Sequence, residues 1–149
     1  MTADRMSRYW PETLSIVRIV IALLFLEHGS AKLFGFPTPP HGVPAVMTLL
    51  WLQGVIEFVG GVLLAMGLFT RPAAFILTGD MAVAYFMAHA SQNFFPLLNG
   101  GDGAILYCFM FLLFFVAGPG RWSIDSQVDH NARAIELDYD HHRTVHAGR

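Results

Sequence analysis

Cysteine is almost absent from this sequence: Cys108 is the only one. A lone thiol cannot close an intrachain disulfide or form a CxxC redox pair, so thiol–disulfide chemistry by the chain's own cysteines is excluded. Cys108 lies inside an apolar run, where a thiol acts as a small hydrophobe. Charge is scarce as well. Charged residues make up 13% of the chain against 54% hydrophobic, and the mean hydropathy is +0.50. A soluble domain of 149 residues has a large surface to keep wet, and so few charges would leave it poorly covered. Lipid is the simpler solvent. The net charge is only −2 and no basic stripe exists, which argues against a nucleic-acid partner.

A helix needs about 20 mainly apolar residues to cross the hydrocarbon of a bilayer. Four segments predict such helices: Leu14–Phe36, Met47–Phe69, Pro72–Ser91 and Asp102–Ala117. Strong stop signals separate them. The run Pro37-Thr38-Pro39-Pro40-His41-Gly42-Val43-Pro44 cannot continue a helix, because proline lacks a donor and clashes with the preceding turn. Thr70-Arg71-Pro72 is a tight turn with Pro72 suited to a first helical position. Asn99-Gly100-Gly101-Asp102-Gly103 breaks the third connection, with Asp102 placed to cap the fourth helix, and Gly118-Pro119-Gly120 ends it. The first span follows Arg5 and Arg8, but it is too long for a leader's apolar region and lacks a small-residue cleavage site, so it reads as an anchor that stays.

Lys and Arg are missing from the Pro37–Pro44 and Gln92–Gly101 connections. Arg5, Arg8, Arg71 and Arg121 lie on the other side, with Arg133, Arg143 and Arg149 in the tail. The positive-inside rule then puts both termini in the cytoplasm, and Trp10 and Trp122 suit the interface there. The expectation is an all-α, integral membrane four-helix bundle over residues 1–125, with a polar cytoplasmic tail over 126–149. That tail holds His130, His141, His142 and His146, reads as solvated rather than metal-binding, and could form a short helix over Val128–Leu137.

Charged groups at helix centres cost roughly 2.5–3.5 kcal/mol each on insertion scales, so they pair, face a wet cavity or snorkel. Span one carries Arg18, Glu27, His28 and Lys32; span two carries Gln53 and Glu57; span three carries Asp80 and His89. At about 1.5 Å rise per residue, Glu27, His28, Lys32, Gln53, Glu57, His89 and Asp102 all fall in the outer half. Arg18 and Asp80 come at similar depth near the inner ends, which predicts a structural ion pair. At 100° per residue, Arg18, Phe25, Gly29 and Lys32 share one face of span one, with Glu27 roughly opposite Arg18. Gln53, Glu57 and Gly61 share a stripe on span two, with Gly54 and Gly60 beside it, and small residues let helix backbones approach closely in lipid.

The residues alone leave four readings of the outer cluster open. His28, His89 and Glu57 suit several divalent metals, although no local ligand motif joins them. Two histidines suit haem, although these two are offset in depth. A quinone or quinol needs a polar pair for its oxygens and an apolar, aromatic wall, which Phe25, Phe34, Tyr85, Phe86, Phe94 and Phe95 could supply. A hydrogen-bonded network that specifies helix packing is the plainest.

Taken together, the motifs are similar to those of the DoxX family of small membrane proteins, and the likeness runs along nearly all of the chain up to Asp125. Phe25-Leu26-Glu27-His28-Gly29-Ser30-Ala31-Lys32-Leu33 resembles the family's first motif. Glu57 with Gly60-Gly61, then Gly67-Leu68-Phe69-Thr70-Arg71-Pro72-Ala73-Ala74, resembles the second. His89 and Gly100-Gly101-Asp102 resemble the third, with aspartate where glutamate is common, and Gly118-Pro119-Gly120-Arg121-Trp122-Ser123-Ile124-Asp125 resembles the closing motif. The resemblance implies a four-span bundle in a bacterial cytoplasmic membrane. It also links the chain to quinone-coupled oxidation of sulfur compounds, and to membrane complexes with superoxide dismutase and a sulfurtransferase.

The resulting expectation is a membrane subunit of an oxidoreductase system that binds a quinone in the outer half. His28 and Glu57 would contact its oxygens and exchange protons, with Lys32, Gln53, His89 and Asp102 around them. Partners would be the lipid bilayer, a quinone, soluble redox enzymes and further copies of the chain. Two other classes stand beside it: a non-catalytic scaffold that recruits soluble redox or stress-response enzymes through the tail, and a small transporter component.

Overall fold

A computed structural model describes residues 6–39, 42–132 and 135–136. Arg5, Pro40, His41, Arg133, His141, His142, Arg143, His146 and Arg149 lie outside the described residues. Within them the chain is helical and carries no strand.

All four predicted segments are helices, three of them with shifted ends. Helix α1, Trp10–Phe34, starts earlier than expected because Pro11 fits its first turn, and it stops at Gly35 in the left-handed conformation (φ 72°). Helix α2, Leu49–Met66, is capped by the Thr48 hydroxyl, which accepts from the Trp51 amide. Helix α3, Thr70–Ala84, runs on into a π turn, Tyr85–His89, in which the Ala90 amide donates to the Tyr85 carbonyl. Helix α4, Asp102–Ala117, has the predicted bounds. One turn, Pro96–Asn99, interrupts the connection before it.

Three local expectations are corrected. Thr70, not Pro72, opens α3, and its cap comes from far along the chain: Asp125 accepts from the Phe69 amide at 2.9 Å and the Thr70 amide at 2.8 Å. Asp102 does not cap α4; Gly101 holds the cap position and Asp102 is the first helical residue, where its charge suits the helix dipole. The helix expected to begin at Val128 begins at Ile124.

Helices α1 and α2 form one antiparallel pair and α3 and α4 another, joined along α2 and α3; α1 and α4 touch only briefly. The buried core is small: Leu14, Ala22 and Phe25 of α1 meet Leu64, Ala73, Ala74, Leu77, Met81, Phe111 and Phe114. The outer faces are apolar instead of polar, with Ile16, Val20, Leu23, Leu52, Ile56, Val59, Phe75, Ile76, Leu106 and Phe109 all exposed. Apolar area on this scale belongs against lipid. Helices α1 and α2 are long and apolar enough to cross a membrane by length and composition, and α4 is apolar but shorter.

The end where α1 and α3 start is the base; the opposite end is the mouth. The base is closed by Arg18, which is wholly buried. Its guanidinium donates to the carbonyls of Pro119 (2.8 Å), Ala65 (2.9 Å), Trp122 (2.6 Å) and Leu64. Arg18 therefore does not pair with Asp80. It lies level with the last turn of α2, where five donors in a fixed fork meet carbonyls that the helix end leaves free. Asp80 is ten residues along α3 from Thr70 and stands beside Gln53, in the mouth half. Of the described residues, the ion pairs are Lys32–Glu57 and Arg121–Glu12.

Candidate functional site

Glycine brings α1 against α2. A Cβ built at Gly29 would sit 2.5 Å from the Phe58 amide nitrogen, and one at Gly54 would sit 2.8 Å from Cβ of Lys32. Only a hydrogen fits in either place, and the resulting approach sets Lys32 opposite Glu57. Their Nζ and Oε1 lie 2.6 Å apart, with Glu57 2% exposed and Lys32 23%. The second carboxylate oxygen, Oε2, is buried and has no hydrogen-bond partner among the described residues.

That carboxylate looks into a cavity of about 380 Å³ in the mouth half, walled by all four helices. Ligand sites commonly start at roughly 300 Å³. Its polar lining is His28, Lys32, Gln53, Glu57, His89 and Tyr107; its apolar lining includes Phe25, Leu50, Met81 and Ala84. His28 stacks on Phe25 with ring centroids 6.2 Å apart and meets Tyr107 edge-on at 5.6 Å. Phe25 and Tyr107 lie 5.1 Å apart, so the three rings form one wall. His89 enters from the π turn, and such turns often re-aim side chains at functional sites.

Five of the predicted residues meet here: His28, Lys32, Gln53, Glu57 and His89. Asp102 does not line the cavity; it is exposed where α4 begins. Glu27 also points elsewhere, toward a shallow recess with Pro37, Thr38 and Pro39. Of the predicted aromatic wall only Phe25 lines the cavity, and Phe34, Phe86, Phe94 and Phe95 are exposed. Asp80 lines a separate recess of about 250 Å³ with Leu49, Val83 and Met87, and Gln53 borders both spaces. Its Oδ2 is buried and has no partner among the described residues, like Oε2 of Glu57. No three His, Cys, Asp or Glu side chains among the described residues lie close enough together to hold a metal ion.

Two contributors carry little sequence signal. Tyr107 shares a face of α4 with Gly103 and Phe111, and this i, i+4 spacing was the one available hint. Asn99 reads only as part of a glycine-rich breaker, yet it is buried and organises the mouth loop. Its side-chain amide donates to Asn93 O at 2.8 Å, its Oδ1 accepts from the Gly101 amide at 2.7 Å, and its carbonyl meets Nδ1 of His89 at 2.8 Å. Gly101 is required there, since a Cβ would press on Asn99 and on the Tyr85 ring at 2.6 Å.

The family model for DoxX matches residues 13–90, which hold all but the first three residues of α1, and all of α2, α3 and its π turn. An uncharacterized protein of Haemophilus influenzae is 43% identical over 83% of this chain and 96% of its own. An uncharacterized membrane protein of Mycobacterium tuberculosis is 32% identical over 83% of this chain and 86% of its own. The inner membrane protein YqjF of Escherichia coli is 29% identical over 74% and 87%. No solved structure matches the chain.

Proposed function

The chain belongs to the DoxX family of membrane proteins, and from that premise we propose that it is the membrane subunit of an oxidoreductase system that binds a member of the quinone–quinol couple in the mouth cavity. One observation carries the reading: a space of about 380 Å³ that combines an aromatic and aliphatic wall with polar groups from all four helices. A quinone ring offers two apolar faces and two oxygens at opposite ends, and such a ligand needs both kinds of lining. Glu57 and His28 are the groups suited to exchange protons with those oxygens, because histidine changes charge near neutral pH and a carboxyl can take a proton where charge is costly. Lys32 keeps Glu57 in place and sets the local field. Electrons would be exchanged with a separate redox protein.

In this reading all four helices cross a bacterial cytoplasmic membrane, with the base and both termini on the cytoplasmic side. Arg71 and Arg121 lie at the base, where Trp10 and Trp122 are about half exposed, and described residues of the mouth connections carry no Lys or Arg.

The test is extraction of the protein, purified in mild detergent, followed by mass spectrometry of its small molecules. A stoichiometric quinone is expected, and it should be lost from Glu57→Gln, whose helix content should match the parent. A protein that is empty, and stays empty after incubation with quinones, overturns the reading.

A further inference from the structure

We infer that the cavity takes its ligand in the reduced, hydrogen-donating form: a lipid-soluble diphenol, a quinol, whose two hydroxyls donate to Nε2 of His28 and Nε2 of His89. This rests on the quinone-couple reading above and adds to it which member of the couple the site prefers.

The imidazole tautomers decide the preference. Nδ1 of His28 lies 3.0 Å from the carbonyl oxygen of Leu24, one turn back along α1. A carbonyl has no proton to give, so Nδ1 carries the hydrogen and donates it. In a neutral imidazole this leaves Nε2 with a free lone pair. His89 repeats the arrangement from another element: its Nδ1 lies 2.8 Å from the carbonyl of Asn99. That carbonyl is fixed, because Asn99 is buried and held by its own bonds to Asn93 and Gly101. Two histidines on one cavity are therefore both set as acceptors, by two unrelated backbone carbonyls.

The rest of the polar lining is mixed, so the two imidazoles set the preference. Oε2 of Glu57 is a further acceptor, buried and without a partner. Lys32 is the cavity's cation, and one of its three N–H donors goes to Oε1 of Glu57 at 2.6 Å. Gln53 and Tyr107 can donate or accept. A quinone brings only acceptor oxygens, and opposite two imidazole lone pairs it makes no hydrogen bond. A quinol brings two O–H donors and satisfies both.

The experiment is an anaerobic titration of the full chain in detergent with a short-chain ubiquinone analogue and, separately, with its dithionite-reduced quinol. One net hydrogen bond corresponds to about fivefold in affinity, so the quinol should bind about 25-fold more tightly than the quinone. His28→Phe and His89→Phe keep a ring in place, and each should reduce that ratio about fivefold with little change in quinone affinity. Equal affinities, or tighter quinone binding, overturn the assignment of the reduced form and leave the quinone-couple site standing. Binding of neither form overturns both. The tautomers have their own readout in nitrogen-15 NMR of histidine-labelled protein. Both rings should carry hydrogen on Nδ1, and a protonated Nε2 with a bare Nδ1 on either ring overturns the inference even if a variant fails to fold.

Discussion

Removing Lys32 should hurt this protein more than removing Lys32 and Glu57 together. The pair is a contact of 2.6 Å between a carboxylate 2% exposed and an ammonium 23% exposed. At an effective dielectric of about 20, such a contact is worth roughly 6 kcal/mol in Coulomb energy, and desolvation takes back most of it. Lys32→Met strands a buried carboxylate, which should cost about 3 kcal/mol, the low end for a broken buried pair because Glu57 can neutralise itself by taking a proton. Glu57→Leu should cost about 2 kcal/mol, since the lysine stem can carry its ammonium toward the mouth. The double variant Lys32→Met/Glu57→Leu replaces the pair with apolar side chains of similar size and should fall within about 1 kcal/mol of the parent. The coupling energy is then about 4 kcal/mol. Cys108 provides the assay: it is the only thiol, partly buried on α4 against the carbonyl of Thr78, and a thiol-reactive dye reports its release on heating. At about 2–4 °C per kcal/mol, Lys32→Met should lower the midpoint by roughly 6–12 °C and the double variant by less than about 4 °C. Simple addition of the two single losses would refute the pairing argument. The stable double variant should also bind no quinone or quinol, and retained binding would remove Glu57 from the site.

Gly29→Ala should lower the midpoint by several degrees, because its Cβ would lie 2.5 Å from the Phe58 backbone, which cannot move aside like a side chain. Arg18→Met should cost about 3–5 kcal/mol by leaving four carbonyls at the base without their donor, whereas Asp80→Asn should leave the base intact; limited proteolysis after Gly118 separates the two, and matched sensitivity would revive an Arg18–Asp80 pair. Asp125→Asn keeps the size of the α3 cap but weakens its two charge-assisted bonds, with an expected loss of about 1 kcal/mol measured by the same thermal assay.

Helix positions were legible wherever an apolar run met a strong stop, as at Pro37, Pro72 and Gly118, but α1 and α2 end sooner than expected, at Gly35 and Gly67 in the left-handed conformation. The cavity was legible in part because depth along a helix is a simple count of residues. That count put His28, Lys32, Gln53, Glu57 and His89 in one half of the bundle, but it put Glu27 and Asp102 there as well, and neither lines the cavity. Depth failed for Arg18 and Asp80 because it was reckoned from uncertain helix ends, and because nothing local announces that a loop 100 residues away will supply the carbonyls of Pro119 and Trp122. The cap of α3 by Asp125 was hidden for the same reason: the partners are 55 and 56 residues apart. Aromatic counting failed more generally, since with 13 phenylalanines the sequence offers a wall in every direction and only packing chooses Phe25 and Tyr107.

The two ends of the molecule divide its work. At the base, Arg18 ties α1 to the end of α2 and to the loop after α4, while Arg71 donates to Phe115 O at 2.7 Å and Val116 O at 2.9 Å, binding α3 to α4. Asp125 then closes the turn between α2 and α3, and its amide donates to Gly67 O. These bonds span all four helices and use backbone carbonyls and amides that helix ends would otherwise leave unpaired. Among the described residues no such hydrogen bond joins α1 to α4 at the mouth, where Tyr107 meets Phe25 and His28 only through ring contacts at the cavity wall. Polar groups such as Glu57 and Asp80 keep unpaired oxygens there, a cost that a bundle built only for stability would shed by substituting apolar residues. A tightly latched base lets the mouth keep that cost and still fold. The same division says where variation should be felt: changes at Arg18 or Asp125 should lower stability, and under the proposed reading changes at His28 or His89 should alter ligand binding instead.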